Sequence, residues 1–241
     1  MASSQDQNPS FATTRWTLVL AAGEASPTAR AALARLCQTY WFPLYAYLRR
    51  RGYQPETAED LTQGFFSRVI EHHDFATAHP ARGRFRSFLL AALQHFVANQ
   101  HDHDRAVKRG GRVRNLSLDF TTAEERYHRE PATSATPESL FHRQWALDTI
   151  HQALVSVRLA YTQSGKEDLF DTLKPFLTSE DSETHAQAAA RLQMSADAVK
   201  AAVHRLRRRY ADALRAHIAD TIADPRDIDA EIRDLFTALA G

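Results

Sequence analysis

The chain has 241 residues, with 30 Lys and Arg against 29 Asp and Glu, giving a formal net charge of +1. This length allows two modest domains, or one with appendages, each able to bury a real core. One cysteine, Cys37, excludes an intramolecular disulfide and points to a reducing cytosol. The sequence begins without a cationic segment and apolar stretch, and no run is long enough to cross a bilayer, so a cytoplasmic protein with no membrane partner is expected.

The near-neutral total conceals a polarity. Arg105 to Arg114 and Lys200 to Arg215 are basic, whereas the tail after His217 carries Asp220, Asp224, Asp227, Asp229, Glu231 and Asp234. Net charge alone therefore does not exclude a nucleic-acid partner.

Helical periodicity dominates and strand-like alternation with hairpin signals is missing, which predicts an all-α fold. From Thr28 to Arg51 the set Leu33, Leu36, Tyr40, Leu44, Tyr47 and Leu48 recurs at helical spacing; Pro43 should kink or divide this element and Gly52 ends it. Cys37 shares its apolar face and reads as a structural thiol. A second helix starts near Pro55, carries Ala58, Leu61, Phe65, Val69 and Ile70, and ends around His72 and His73. A polar loop follows to Gly83. A third helix, Phe85 to about Arg105, presents Phe88, Leu89, Ala92, Phe96 and Asn99 as one stripe.

Gly110 and Gly111 break that helix, and the stretch through Pro137 reads as a flexible connector. The expected organisation is therefore a first helical domain over 1–111, a linker over 112–140, a second helical domain over 141–217 and an acidic extension over 218–241. The second domain opens on Phe141, Trp145, Ile150, Leu154, Val157 and Tyr161, pauses at Ser164 and Gly165, and resumes with Leu169, Leu173 and Leu177. There is no internal repeat.

Ala188 to Tyr210, AAARLQMSADAVKAAVHRLRRRY, predicts two helices joined by a tight turn, a helix-turn-helix. Ala189, Leu192, Met194, Val199, Val203 and Leu206 would lock the pair together. Lys200, His204, Arg205 and Arg208 fall on the opposite face. Ser195 suits an N-cap, accepting from the N–H of Asp197 or Ala198, and Asp197 suits the helix dipole. Nothing breaks the pattern from Ala196 to Ile222, so the helix should be long, with Arg207, Arg208 and Arg209 near its middle. A helix divided in this way can enter a major groove.

With both halves in view, the chain resembles a bacterial sigma factor of the extracytoplasmic-function type, in the sigma-70 family. TAEDLTQGFFSRVI, Thr57 to Ile70, resembles the family's polymerase-binding helix with its Asp-Leu-x-Gln core. GRFRSFLLAALQHFVANQ, Gly83 to Gln100, is similar to the helix that engages the unwound minus-10 element, and Ala188 to Tyr210 resembles the module that reads the minus-35 element. The opening TTRWTLVL, the LSLD after the double glycine and the tail beyond Ile218 resemble a subgroup with extra terminal segments.

The resemblance implies core RNA polymerase and promoter DNA as partners, with an anti-sigma factor as a further candidate, and no cofactor. It assigns polymerase binding to Asp60, Leu61, Gln63, Phe66 and Arg68. Minus-10 contacts fall to Arg82, Arg84, Arg86, His95, Asn99 and Arg105, with an extruded base held by the loop from His72 to Arg84. Minus-35 contacts fall to Ser195, Asp197, Lys200, Ala201, His204, Arg205 and Arg208. Phe85 and Phe88 read as packing residues. The chain departs from the pattern at three points. Gln193 stands at the turn where the family often has glycine, so the turn must hold a left-handed residue or take another geometry. Gly64 replaces a common acidic residue, and His95 a common asparagine.

Two rivals are weighed against this. A one-component helix-turn-helix regulator would keep the DNA contact but would need a symmetric operator and would leave Asp60 to Phe66 unexplained. A metal-dependent enzyme is suggested by His101, Asp102, His103 and Asp104, but histidines two apart on a helix point in different directions. No glycine-rich phosphate loop, nucleophile elbow or paired-cysteine zinc site accompanies them, and no catalysis by this chain alone is expected.

Overall fold

The computed structural model describes residues 27–72, 85–104, 121–129, 135–177, 184–222 and 224–240. Among these the regular structure is entirely helical, as the periodicity requires. In chain order the α-helices are α1 (Pro27–Arg50), α2 (Pro55–His72), α3 (Phe85–Asp104), α4 (Thr121–His128), α5 (Pro137–Gln163), α6 (Glu167–Leu173), α7 (His185–Leu192), α8 (Ala196–Ala219) and α9 (Ile228–Ala240). Short 3-10 turns cover Lys174–Leu177 and Pro225–Asp227.

Pro43 removes one N–H from the ladder of α1 without dividing the helix, so of the kink or division expected there the division does not occur. Gly52 ends the element as expected. Its φ of 90° lets the Gly52 N–H reach the Arg49 carbonyl at 3.0 Å and the Tyr53 N–H reach that of Leu48 at 3.2 Å, the paired bonds of a Schellman stop. The expected apolar neighbours of Cys37, and Cys37 itself, have side chains outside the described residues except Tyr40, which is fully buried.

Two buried clusters organise the packing. The larger joins Tyr40, Phe42, Leu44 and Leu48 of α1 with Phe65, Phe66 and Val69 of α2 and Phe85, Leu89, Leu93 and Phe96 of α3. The same cluster continues through Phe141, Trp145 and Ala153 of α5, Leu214 and Ile218 of α8, Ile222, and Leu235 of α9. The smaller comprises Val157 and Tyr161 of α5, Phe170 and Leu173 of α6, Phe176, Ala188 and Ala189 of α7, and Val199, Ala202, Val203 and Leu206 of α8. Helices α5 and α8 thus contribute to both. Trp145 is 1% exposed, deep in the first cluster.

The span expected as connector contains α4, which is anchored. Ala123 is buried, and Glu124 accepts from Arg49 at 3.0 and 2.7 Å and from the Tyr45 hydroxyl at 2.5 Å. The two Arg49 bonds hold the Glu124 carboxyl below its ordinary range, against a smaller opposing effect of burial. Arg126 pairs with Asp148 of α5 and lies over the Phe42 ring at 3.8 Å. Burial outweighs that ion pair and moves the Asp148 carboxyl upward. The acidic extension is also engaged: α9 packs on α5 and α8 and puts Leu235 in the core.

Candidate nucleic-acid interface

The α7–α8 unit is built from local signals. Thr184 caps α7, accepting from the Gln187 N–H at 3.3 Å while the Gln187 side chain accepts from the Thr184 N–H at 2.8 Å. At the other end Gln193 takes the left-handed conformation, φ 54° and ψ 43°. Its N–H and that of Met194 return to the carbonyls of Ala190 and Ala189, at 3.4 and 3.0 Å. This is the same stop that Gly52 makes, here on a residue with a side chain, so the first of the two turn geometries open to Gln193 is the one adopted. Ser195 then starts α8, accepting from the Ala198 N–H at 3.2 Å.

At 100° per residue, Val199, Ala202, Val203 and Leu206 occupy one arc of α8, and all four are buried. Asp197, Lys200, Ala201, His204, Arg205 and Arg208 occupy the opposite arc, and all are exposed, as is Ser195 at its head. Lys200 lies 3.7 Å from Asp197, so one cation of the face has an acidic neighbour in solvent. The run Arg207-Arg208-Arg209 is split by the same geometry. Arg207 donates to the Phe176 carbonyl at 3.2 and 2.9 Å, and Arg209 lies 5.2 Å from the Tyr161 ring centre. Only Arg208 of the three projects with the cationic arc. A helical-wheel count from Leu206 carries this signal in the sequence.

The residues expected on the partner-binding helix divide differently. Asp60 and Arg68 are exposed, Leu61 and Gln63 are half-buried at opposite borders of the face, and Phe66 is 1% exposed. Phe66 therefore belongs to the core in this conformation, and its expected place on the docking surface is not where the structure puts it. Its ring packs on Phe65, with centroids 5.4 Å apart. A Cβ at Gly64 would meet Cζ of Phe96 at 3.4 Å, about van der Waals contact.

On α3, His95 and Asn99 are exposed one turn apart, sharing a face with Ser87 and Ala91. Phe85 is buried edge-on against Tyr40, at 5.2 Å between ring centres, and Phe88 is half-buried, so both pack as expected. Arg82, Arg84, Arg105 and the loop assigned to an extruded base lie outside the described residues.

Arg86 departs most from expectation. It is 4% exposed, paired with Glu231, 3.2 Å from Asp234, and its guanidinium carbon lies 4.1 Å from the Trp145 ring centre. Its Nε donates to Nδ1 of His142 at 3.3 Å. A guanidinium enclosed in this way does not face nucleic acid.

Among the described residues no cluster of three or more His, Cys, Asp or Glu is placed to hold a metal ion, and no helix is long and apolar enough to cross a membrane. The side chains of His101 to Asp104 lie outside the described residues. No family model matches the chain, and neither the curated proteins nor the solved structures give a match.

Proposed function

We propose that the chain is a transcription initiation factor of the sigma type, which binds core RNA polymerase and directs it to chosen promoters. The observation that carries this reading is α8: one arc closes on α7 through a three-residue turn, and the opposite arc offers Lys200, His204, Arg205 and Arg208 to solvent. In this reading α7 and α8 form a helix-turn-helix, and α8 lies in the major groove of the minus-35 element. Lys200 and Arg205 then reach base edges or phosphates.

The amino-terminal half supplies the other two contacts. Asp60 and Arg68, with Leu61 and Gln63 at their borders, form a mixed polar and apolar surface suited to a protein partner. The His95 and Asn99 face, with Arg82, Arg84 and Arg105, engages the opened minus-10 strand. The two halves act as domains, each on its own element, and the chain works in the cytoplasm. It needs no cofactor and performs no catalysis; the RNA chemistry belongs to the polymerase. An anti-sigma factor would act by covering either surface.

Run-off transcription with purified core polymerase on a genomic library tests this reading. The expected result is defined start sites absent from core polymerase alone; a library transcribed no differently with and without the chain refutes it. The burial of Phe66 favours one other reading, a one-component regulator in which α2 is simply core. Co-sedimentation with core polymerase separates the two, because only the sigma reading expects a complex.

A further inference from the structure

We propose that Arg51, just past the end of α1, is a phosphate contact for DNA lying along the exposed face of α3. The proposal rests on the sigma reading for the place of that DNA, the opened minus-10 strand, and its test can fail or succeed apart from that reading.

The α3 face needs a cation that it does not itself present. At 100° per residue its exposed arc runs from Gln94 through Ser87, Ala98 and Ala91 to His95 and Asn99. Among the described side chains of α3 the one Lys or Arg is Arg86, whose guanidinium is enclosed by Glu231, Asp234 and Trp145. A surface that follows a nucleic-acid strand draws much of its affinity from cations set against phosphates. A neighbouring helix has to supply one.

Tyr47 of α1 brings it there. This residue is buried, and its hydroxyl is the meeting point of three side chains. Arg51 Nη1 donates to it at 3.1 Å and Gln94 Nε2 at 2.8 Å, while the hydroxyl donates to Glu138 Oε1 at 3.2 Å. Two bonds accepted and one donated use both lone pairs and the proton. Because Arg51 and Gln94 share one acceptor, the guanidinium stands beside the amide at which the α3 arc begins. Its carbon also lies 5.8 Å from the Tyr47 ring centre, and the Arg51 N–H meets the Tyr47 carbonyl at 3.0 Å in the stop at Gly52. Side chain and backbone are thus held before DNA arrives, so less order is lost on binding.

The charge of Arg51 is also left over. Nearby arginines are matched by carboxylates: Arg49 by Glu124, Arg126 by Asp148 and Arg86 by Glu231. Arg51 is exposed, and it is fixed by a neutral hydroxyl and a neutral ring. Glu138 bonds the hydroxyl, not the guanidinium. The remaining N–H donors of Arg51 are therefore open to a phosphate, which a guanidinium fork takes with two parallel bonds.

The test uses the full chain and a fluorescein-labelled fork DNA of mixed sequence, duplex at one end and single-stranded at the other. Anisotropy is read between about 50 and 200 mM salt. Arg51→Ala should lower the slope of log affinity against log salt by about 0.7–0.9 and weaken binding roughly fivefold to eightfold at about 0.1 M salt. Arg51→Lys should keep the slope and lose part of the affinity, since the charge stays while the fork and the ring contact go. Arg233→Ala removes another exposed cation, on α9, and should leave the slope in place. A wild-type slope in Arg51→Ala overturns the proposal. So does an equal fall in Arg233→Ala, which would make the effect one of net charge. Run-off transcription with core polymerase separates the contact from the sigma reading. If wild type gives no defined start sites while Arg51→Ala still loses slope, the sigma reading fails and the contact stands. If wild type directs polymerase and Arg51→Ala matches it in slope and affinity, the contact alone fails.

Discussion

Helices α2 and α8 were both expected to bind a partner, yet they separate core from surface to different degrees. On α8 every expected contact residue is exposed, and Val199, Ala202, Val203 and Leu206 on the opposite arc are buried. On α2 the expected set runs from exposed Asp60 and Arg68 through half-buried Leu61 and Gln63 to buried Phe66. The exposed face of α8 is made largely of cations, which the core rejects, so the division is sharp. A protein-docking face needs apolar groups, and those are the groups the core also recruits.

The comparison is tested hardest on α2. Phe66→Ala should lower stability by about 3–5 kcal/mol through the lost burial and the cavity left behind. Asp60→Ala should stay within roughly 0.5 kcal/mol of wild type and still abolish co-purification with core polymerase. Chemical denaturation and a pull-down on the two variants check this; equal stability losses would mean that Asp60 is structural too.

On α8 the corresponding substitutions should affect DNA alone. Lys200→Ala and Arg205→Ala are each expected to cost about 1–3 kcal/mol of promoter affinity where a base edge is lost. Where only a phosphate contact is lost, the salt slope should fall by about one unit across all sequences. Fluorescence anisotropy at several salt concentrations reads both, and the melting temperature should not move. Unchanged affinity in both variants would take α8 out of the groove.

A smaller effect sharpens the comparison where α4 meets α1. Glu124→Gln should cost about 1 kcal/mol at neutral pH, by weakening the hydrogen bonds from Arg49 and Tyr45. Because the folded carboxyl titrates below its ordinary value, its contribution is present above the unfolded value and disappears as pH falls through the folded one. The gap between wild-type and variant melting temperatures should therefore be full at pH 7 and close as pH falls below about 4. A gap that widens in acid would contradict the assignment.

The smallest expected change is a gain. Gln193→Gly should raise stability by roughly 0.5–1 kcal/mol, because it relieves the left-handed strain at φ 54°. DNA affinity should be unaffected, since Gln193 sits at the turn. A destabilised variant would show that the Gln193 side chain makes a contact worth more than the strain.

Local features were legible in the sequence and distant ones were not. The start of α8 at Ser195, the stop at Gly52, the stop near Ser164 and Gly165, and the burial of Val199, Val203 and Leu206 all follow from spacing and capping within a few residues. The effect of Pro43 is also local: a proline weakens a helix, and here it lies between buried Phe42 and Leu44 in a helix that is not divided. Arg86 was out of reach for a different reason. Its partner Asp234 lies 148 residues away, and no periodicity connects the two. The place of the acidic extension was out of reach for the same reason, because nothing local to Glu231 and Asp234 signals the buried guanidinium opposite them. Likewise α4, read as connector by composition, is held by Arg49, 75 residues upstream of Glu124.

Helix α5 has a consequence for anyone who would transplant the α7–α8 unit as a cassette. Its 27 residues extend about 40 Å at 1.5 Å per residue, and its first half is lined by Phe141, Trp145 and Ala146. A cut just before Phe141 would strip those side chains of the α1, α2 and α3 residues that share their buried cluster. Grafting this unit onto another chain therefore means bringing along, or redesigning, the underside of its scaffold.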